Sequence, residues 1–319
     1  MNPPFHLVFC GTPAFAVPTL ERLVKAGFRV DLVVTRPDKP KGRGMEMAAS
    51  SVKQSATAMG LPVAQPTAIK NNAEFRAQLE ALKPEAIVVV GYGRIIPQWM
   101  IDLPPLGNIN LHSSLLPKYR GAAPVQWALA SGETVTGVTT MRIDGGLDTG
   151  DILLQQDINV APEDTAVTLS PKLAAIGAEL MMQTLLGIRN KSIHPQPQDH
   201  SEASLAPILQ KEDGRIDFHS SAKEILDRLR GFQPWPGAYT TFRGKQLVIC
   251  NARIAEHAQT QTLGSLVVAG NQLFACCHDS LLELLEVQPE GKKLMTSRDF
   301  LNGYRVLPGE NFGDNPGRS

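Results

Sequence analysis

The run Ala86-Ile87-Val88-Val89-Val90 constrains the fold more than any other stretch of the chain. Five apolar residues in succession, four of them β-branched, leave no polar face. Such a strand buries both faces, the condition of a central strand in a parallel sheet covered by helices. Gly91-Tyr92-Gly93 ends it. Leu7-Val8-Phe9-Cys10 is a second apolar run, ending at Gly11. Ala14 to Ala26 carries helical spacing, with Val17, Leu20, Leu23 and Val24 on one side and Gly27 as the stop. Val30 to Thr35 and Asn108 to His112 read as further strands. Thr136 to Ile143 and Asp151 to Ile158 read as strands flanking a turn at Asp148. The alternation predicts an α/β fold with a Rossmann-like, mostly parallel sheet.

The rest of the chain changes character in steps. Thr165 to Ile188 has helical spacing, and Pro171 predicts a break or a new first turn there. Asn190 to Ala206 is polar and proline-bearing and reads as a solvated linker, with His194 and His200 facing water rather than a metal. Ser221 to Leu229 reads as a helix. Ala238 to Phe242, Gln246 to Arg253, Gly264 to Val268, Leu273 to Cys277 and Leu281 to Gln288 read as short strands between glycine-rich turns. They predict a small β-barrel of OB-like kind. Within Gly231-Phe232-Gln233-Pro234-Trp235-Pro236-Gly237-Ala238, Trp235 is expected to anchor the turn in the core. Two domains suit 319 residues: 1–189, a linker at 190–206, and 207–319.

Several classes of function are excluded early. No apolar run approaches a membrane span, and Met1-Asn2-Pro3-Pro4-Phe5 has no basic flank or hydrophobic leader, so a cytoplasmic protein with no membrane partner is expected. Cys10, Cys250, Cys276 and Cys277 lack Cys-x-x-Cys spacing and read as reduced thiols, with no metal site. Gly11-Thr12-Pro13-Ala14 lacks the glycines of a dinucleotide fingerprint, which removes nicotinamide chemistry.

What remains is acyl transfer. Asn110 and His112 stand two apart on a strand and therefore face the same way. They lie at the strand's carboxyl end, where open parallel sheets bind ligands. An amide can donate to a developing oxyanion, an imidazole can move a proton, and the Asp148 carboxylate can set the imidazole's charge. Taken singly, Asn110 could cap a turn, His112 could be a hydrogen-bonded core histidine, and Asp148 could be a turn residue.

The ordered set Asn110-Leu111-His112, Ser114-Leu115-Leu116-Pro117 with Gly121, and Leu147-Asp148-Thr149-Gly150 resembles the folate-dependent formyltransferases. Pro234-Trp235-Pro236-Gly237 and Gly291-Lys292-Lys293-Leu294-Met295 extend the resemblance from about Leu7 to Gly309. It implies transfer of the formyl group of 10-formyltetrahydrofolate to the α-amino group of methionyl initiator tRNA by a monomer without metal. The implied catalytic residues are Asn110, His112 and Asp148. Folate is expected along the backbone at Val88, Val90, Gly91, Tyr92, Gly93 and Ile95 and at the loop Ser113, Ser114, Leu115, Leu116 and Pro117, with a cis Leu116–Pro117 bond. An amino-sugar formyltransferase and a catalytically silent folate-binding protein are the alternatives.

The segment from Arg36 to Ser51 reads as a long loop with four basic side chains up to Gly44. The resemblance makes it an arm for the tRNA acceptor end, with Lys41, Arg43 and Lys53 as contacts and Arg43 as the reader. From Pro207 onward the chain holds thirteen Lys and Arg against thirteen Asp and Glu. A tRNA surface there needs one basic face, for which Lys245, Arg253, Lys292 and Lys293 are candidates.

Overall fold

The structure, a computed structural model, describes residues 5–41, 46–258, 262–307 and 309–313. The chain forms two compact units. The first comprises Met1–Pro124, Val135–Asn159 and Leu169–Pro207, and the second Val125–Thr134, Val160–Thr168 and Ile208–Ser319.

In chain order the elements begin with β1 (His6–Gly11), α1 (Val17–Lys25), β2 (Arg29–Val34), β3 (Lys39–Lys41), β4 (Glu46–Ala48), α2 (Ser51–Ala58), β5 (Val63–Ala64) and α3 (Ala73–Leu82). They continue with β6 (Ala86–Val90), α4 (Gln98–Ile101), β7 (Asn108–His112), β8 (Arg120–Gly121), α5 (Pro124–Ala130), β9 (Val135–Arg142), β10 (Ile152–Asn159), α6 (Ala166–Arg189) and β11 (Leu205–Ala206). A seven-stranded sheet runs β10-β9-β7-β6-β1-β2-β5. Its strands are parallel from β5 to β7, and β9 and β10 add antiparallel. β6 is buried along its whole length, with Val88 beside Phe9 of β1 and Ile109 of β7. The chain leaves β1 toward β2 and β5 and returns on the other side with β6. The crevice at the carboxyl ends of β1 and β6 is therefore the sheet's switch point, where open α/β sheets bind ligands.

The sequence reading needs several amendments. The stretch from Arg36 to Ser51 is not one loop: β3 and β4 pair as an antiparallel hairpin, and Ser50 caps α2 by accepting the Lys53 amide at 3.1 Å. Pro171 lies inside α6 without ending it. It stands close to the helix start and removes one backbone donor there. The segment 190–206 is docked, not merely solvated: Gln196 pairs with Ile152, and β11 pairs with β8. Finally, α2, α3 and α5 were not legible as helices. The structure shows why α2 and α3 form, since Ser50 and Asn72 cap them.

The second unit contains α7 (Ala222–Gly231), β12 (Ala238–Phe242), β13 (Lys245–Ala258), β14 (Leu266–Ala269), β15 (Gln272–Cys276), β16 (Ser280–Pro289), β17 (Met295–Thr296) and α8 (Ser297–Tyr304). Its antiparallel sheet runs β12-β13-β16-β15-β14, with β17 on β16. Ile225 and Leu229 of α7 and Phe300 of α8 join Leu247, Ile249, Leu282 and Leu284 in its core. Trp235 does not anchor this core, because it is 55 % exposed. The buried aromatic of this segment is Phe232, fully buried and edge-on to Trp127 at 5.3 Å.

Candidate active site

β7 carries the Asn/His pair between two ladders. Asn110 lies beside Val89 of β6 and Met141 of β9, and His112 lies beside Thr139 of β9. Backbone pairing fixes Asn110 on both sides and His112 on the β9 side, and the strand period turns both side chains to one face. Asn110 is half-buried, and its amide makes no hydrogen bond to another described residue. His112 is buried.

The chain returns to this pair through Tyr119-Arg120-Gly121. The Tyr119 carbonyl lies 2.9 Å from His112 Nε2. A carbonyl only accepts, so Nε2 carries a proton and donates it. Nδ1 is then the nitrogen left for chemistry, and it lies 3.7 Å from Asp148 Oδ2. That spacing is too long for a direct hydrogen bond. It lets a water or a substrate atom touch both groups. The same Oδ2 accepts the Gly121 amide at 2.9 Å. One short segment thus holds both the imidazole and the carboxylate. Tyr119 at φ 61° and Asp148 at φ 51° both take the left-handed region, and Gly121 stands at φ 127°. A Cβ at Gly121 would come within 2.5 Å of the Ala206 carbonyl oxygen, so the crossing of β8 and β11 admits only glycine. Positive-φ residues concentrated at one point are the kind of strain found where geometry is over-determined.

The loop after His112 is pinned by Thr139. Its hydroxyl donates to the Ser114 carbonyl at 2.7 Å and accepts the Leu116 amide at 3.1 Å. Gln155 Nε2 donates to the Leu116 carbonyl at 2.9 Å, Ser114 Oγ donates to the Lys118 carbonyl at 2.6 Å, and the Leu116–Pro117 bond is cis. Ser113, Leu115 and Pro117 are half-buried, while Ser114 and Leu116 are buried. Sequence reasoning singled out the loop but not Thr139 or Gln155, which sit on strands with no motif around them.

At the end of β6 the side chains of Val88, Val90 and Tyr92 belong to the core. Gly91 and Gly93 expose their backbone in positive-φ conformations, and Ile95 is 92 % exposed. A flat heterocycle reading backbone groups fits this edge, with Ile95 as an apolar cover. Thr12 Oγ1 donates to the Tyr92 carbonyl at 3.2 Å and ties the ends of β1 and β6 together. Burial pushes the Tyr92 hydroxyl up to about 12 and the Cys10 thiol well above its ordinary range, so neither ionises at neutral pH. All four cysteines are free thiols. Among the described residues, no group of three or more His, Cys, Asp or Glu could hold a metal ion. No described helix is long and apolar enough to cross a membrane.

The residues read as tRNA contacts are divided between the two units. Arg43 lies outside the described residues, and Lys41 ends β3. Lys53 Nζ donates to Asp38 Oδ2 at 2.6 Å, so its charge is already paired. In the second unit Lys245 and Lys292 line one groove of about 240 Å³ with Gln246 and Tyr304. Arg253 is paired with Glu283 at 2.6 Å.

Comparison with known proteins agrees with this chemistry. The formyl transferase family model matches residues 6–185, and its C-terminal domain model matches residues 208–305. A methionyl-tRNA formyltransferase of Koribacter versatilis is 63% identical over 96% of this chain and 98% of its own length. One from Acidobacterium capsulatum is 59% identical over 96% and 99%. The crystal structure of an N-formyltransferase from Helicobacter canadensis, in complex with folinic acid and dTDP-3-aminofucose, superposes with a TM-score of 0.66. At 20% identity over 89% of this chain and 99% of that one, it shares the fold. Two matched domains and near-full-length relatives place the chain in the formyl transferase family.

Proposed function

We propose that the chain transfers the formyl group of 10-formyltetrahydrofolate to the α-amino group of methionyl initiator tRNA, in the cytoplasm and as a single copy. The observation that carries the chemistry is the His112 ring, tied through Nε2 to a carbonyl and left with Nδ1 facing Asp148 at 3.7 Å. The near-full-length relatives carry the choice of amine.

The geometry supports the following roles. The Asn110 amide donates to the formyl oxygen as charge develops there. His112 Nδ1–H adds a second donor from the same face of β7. Asp148 accepts the proton released by the attacking nitrogen, directly or through water. As the new C–N bond forms, the bond from the formyl carbon to the folate nitrogen breaks, and the proton taken from the amine goes to that nitrogen. No covalent enzyme intermediate is needed. Gly91, Gly93 and Ile95, with the Ser113–Pro117 loop, hold the folate.

For the second substrate, Arg43 and Lys41 contact the acceptor end, and Lys245 and Lys292 contact phosphates. We divide the work as 1–189 for catalysis and 207–319 for tRNA, with 190–206 between them. The test is formyl transfer from 10-formyltetrahydrofolate to charged initiator tRNA, with free methionine and a dTDP-amino sugar as competing amines. Transfer to the tRNA alone is expected. Transfer to the amino sugar alone overturns the assignment.

A further inference from the structure

We propose that Arg120 and Gln198 are positioning residues that hold the Asp148 turn, with His200 as their outer support. This rests on Asp148 acting as the proton partner of His112.

Within the turn, Asp144 accepts from the Gly146 amide at 3.0 Å and from Thr149 Oγ1 at 2.8 Å, but these bonds do not reach the Asp148 carboxylate. Residues 144–147 are exposed, and Asp148 itself stands at φ 51°. A carboxylate on such a turn needs fixing from outside if its oxygen is to stay 3.7 Å from a ring nitrogen. Gln198 provides this. Its Nε2 donates to the Asp148 carbonyl at 2.9 Å and to the Gly150 carbonyl at 2.7 Å. Both amide hydrogens are used, and they clamp the turn on two sides.

The amide's orientation is not free. Gln198 Oε1 accepts from Arg120 Nε at 3.1 Å and from Nη2 at 2.6 Å. Guanidinium groups only donate, so Oε1 must face Arg120 and Nε2 must face the two carbonyls. Arg120 is buried, and its Nη2 also reaches His200 Nδ1 at 3.0 Å. The groups this cation meets are an amide oxygen and an imidazole nitrogen. A buried cation with such partners is a costly way to stabilise a fold. It is a good way to aim an amide.

Arg120 also reaches Asp148 along the backbone, through the Gly121 amide on Oδ2. The Arg120 amide donates to the Ser204 carbonyl at 2.8 Å, which fixes β8 against the chain that carries Gln198 and His200. Both ends of Asp148, backbone carbonyl and carboxylate, are therefore set by Arg120 and its neighbours. The segment 190–206 then contributes to catalysis, which a tether between units would not.

The experiment is a double-mutant cycle on full-length enzyme under single-turnover conditions. Gln198→Glu keeps an acceptor toward Arg120 and replaces the donor with an oxygen facing two carbonyls. It is expected to lower kcat roughly 10–100-fold, as a misaimed catalytic group does, with KM for both substrates changed less than about threefold. In an Asp148→Asn background the same change is expected to cost less than about twofold. His200→Ala, at an exposed position, leaves the fold intact and is expected to lower kcat about threefold, again only while Asp148 is present. Equal losses from these substitutions in both backgrounds overturn the positioning role. So does unaltered kcat in folded single variants. Full activity in Asp148→Asn alone overturns the proton-partner reading instead, so the two failures are told apart.

Discussion

The two halves of the site are built on opposite principles. Asn110 and His112 stand on β7, where the ladders to β6 and β9 set Asn110 and the ladder to β9 sets His112. Asp148 stands on an exposed turn at φ 51° and depends on hydrogen bonds from Gly121 and Gln198, 27 and 50 residues away in sequence. A strand places a side chain through its own register. A turn of this kind places one only through what reaches it from outside. Substitutions away from the site should therefore disturb Asp148 and spare Asn110.

The largest effect is expected at the strand-borne half. Asn110→Ala removes one oxyanion donor and should lower kcat by ~10²–10³-fold. Its side chain is half-buried and makes no hydrogen bond to another described residue, so the thermal midpoint should barely move. Stopped turnover with an intact melting curve is the expected pair of readings. A large loss of stability would mean that Asn110 is structural, and the contrast between the two halves would fail.

Gly121→Ala strikes the other half without touching a catalytic side chain. The new Cβ meets the Ala206 carbonyl oxygen at 2.5 Å, and φ 127° disfavours any residue but glycine. The strain should cost about 1–3 kcal/mol of stability. It should also displace the amide that holds Asp148 Oδ2 and lower kcat roughly tenfold. Here stability and rate fall together, whereas at Asn110 only the rate falls. Full kcat in a destabilised Gly121→Ala enzyme would show that Asp148 is placed without this amide.

The same division explains what could be read from the chain. β6 and β7 appear in the sequence with their bounds as found: β6 is an apolar run closed by glycine, which has few other uses, and β7 alternates polar and apolar residues with the period of a strand. Asn110 and His112 were legible with them, since a period of two fixes their common face. Asp148 was legible only through its motif. The groups that hold it were not: Gln198 lies among prolines and polar residues, where composition reads as solvated linker, and its burial arises from pairing across 78 residues with Arg120. Trp235 fails for a related reason. An aromatic flanked by prolines reads as an anchor, yet Phe232 three residues earlier is the buried aromatic and Trp235 lies outside. Pattern reports what a segment does for itself. Contacts distant in sequence decide the rest.

The smallest effect sharpens the comparison by leaving both halves alone. Lys245 and Lys292 share the groove beside Tyr304, whose ring stacks on Phe300 at 4.5 Å. Arg243 in the same groove is already paired with Glu310 at 2.6 Å, so the two lysines are the better candidates for phosphate contacts. If they contact tRNA phosphates, Lys245→Ala and Lys292→Ala should each raise KM for the charged tRNA a few-fold. Each should also reduce the slope of log affinity against log salt by about 1. Neither touches the His112–Asp148 pair, so kcat at saturating tRNA should stay within about twofold of the parent, as expected for loss of uniform binding. KM for 10-formyltetrahydrofolate should not change. A lowered kcat would mean that these cations bear on how the amine is presented. An unchanged KM and salt slope would remove the groove from the tRNA surface and leave the β3–β4 hairpin to account for recognition.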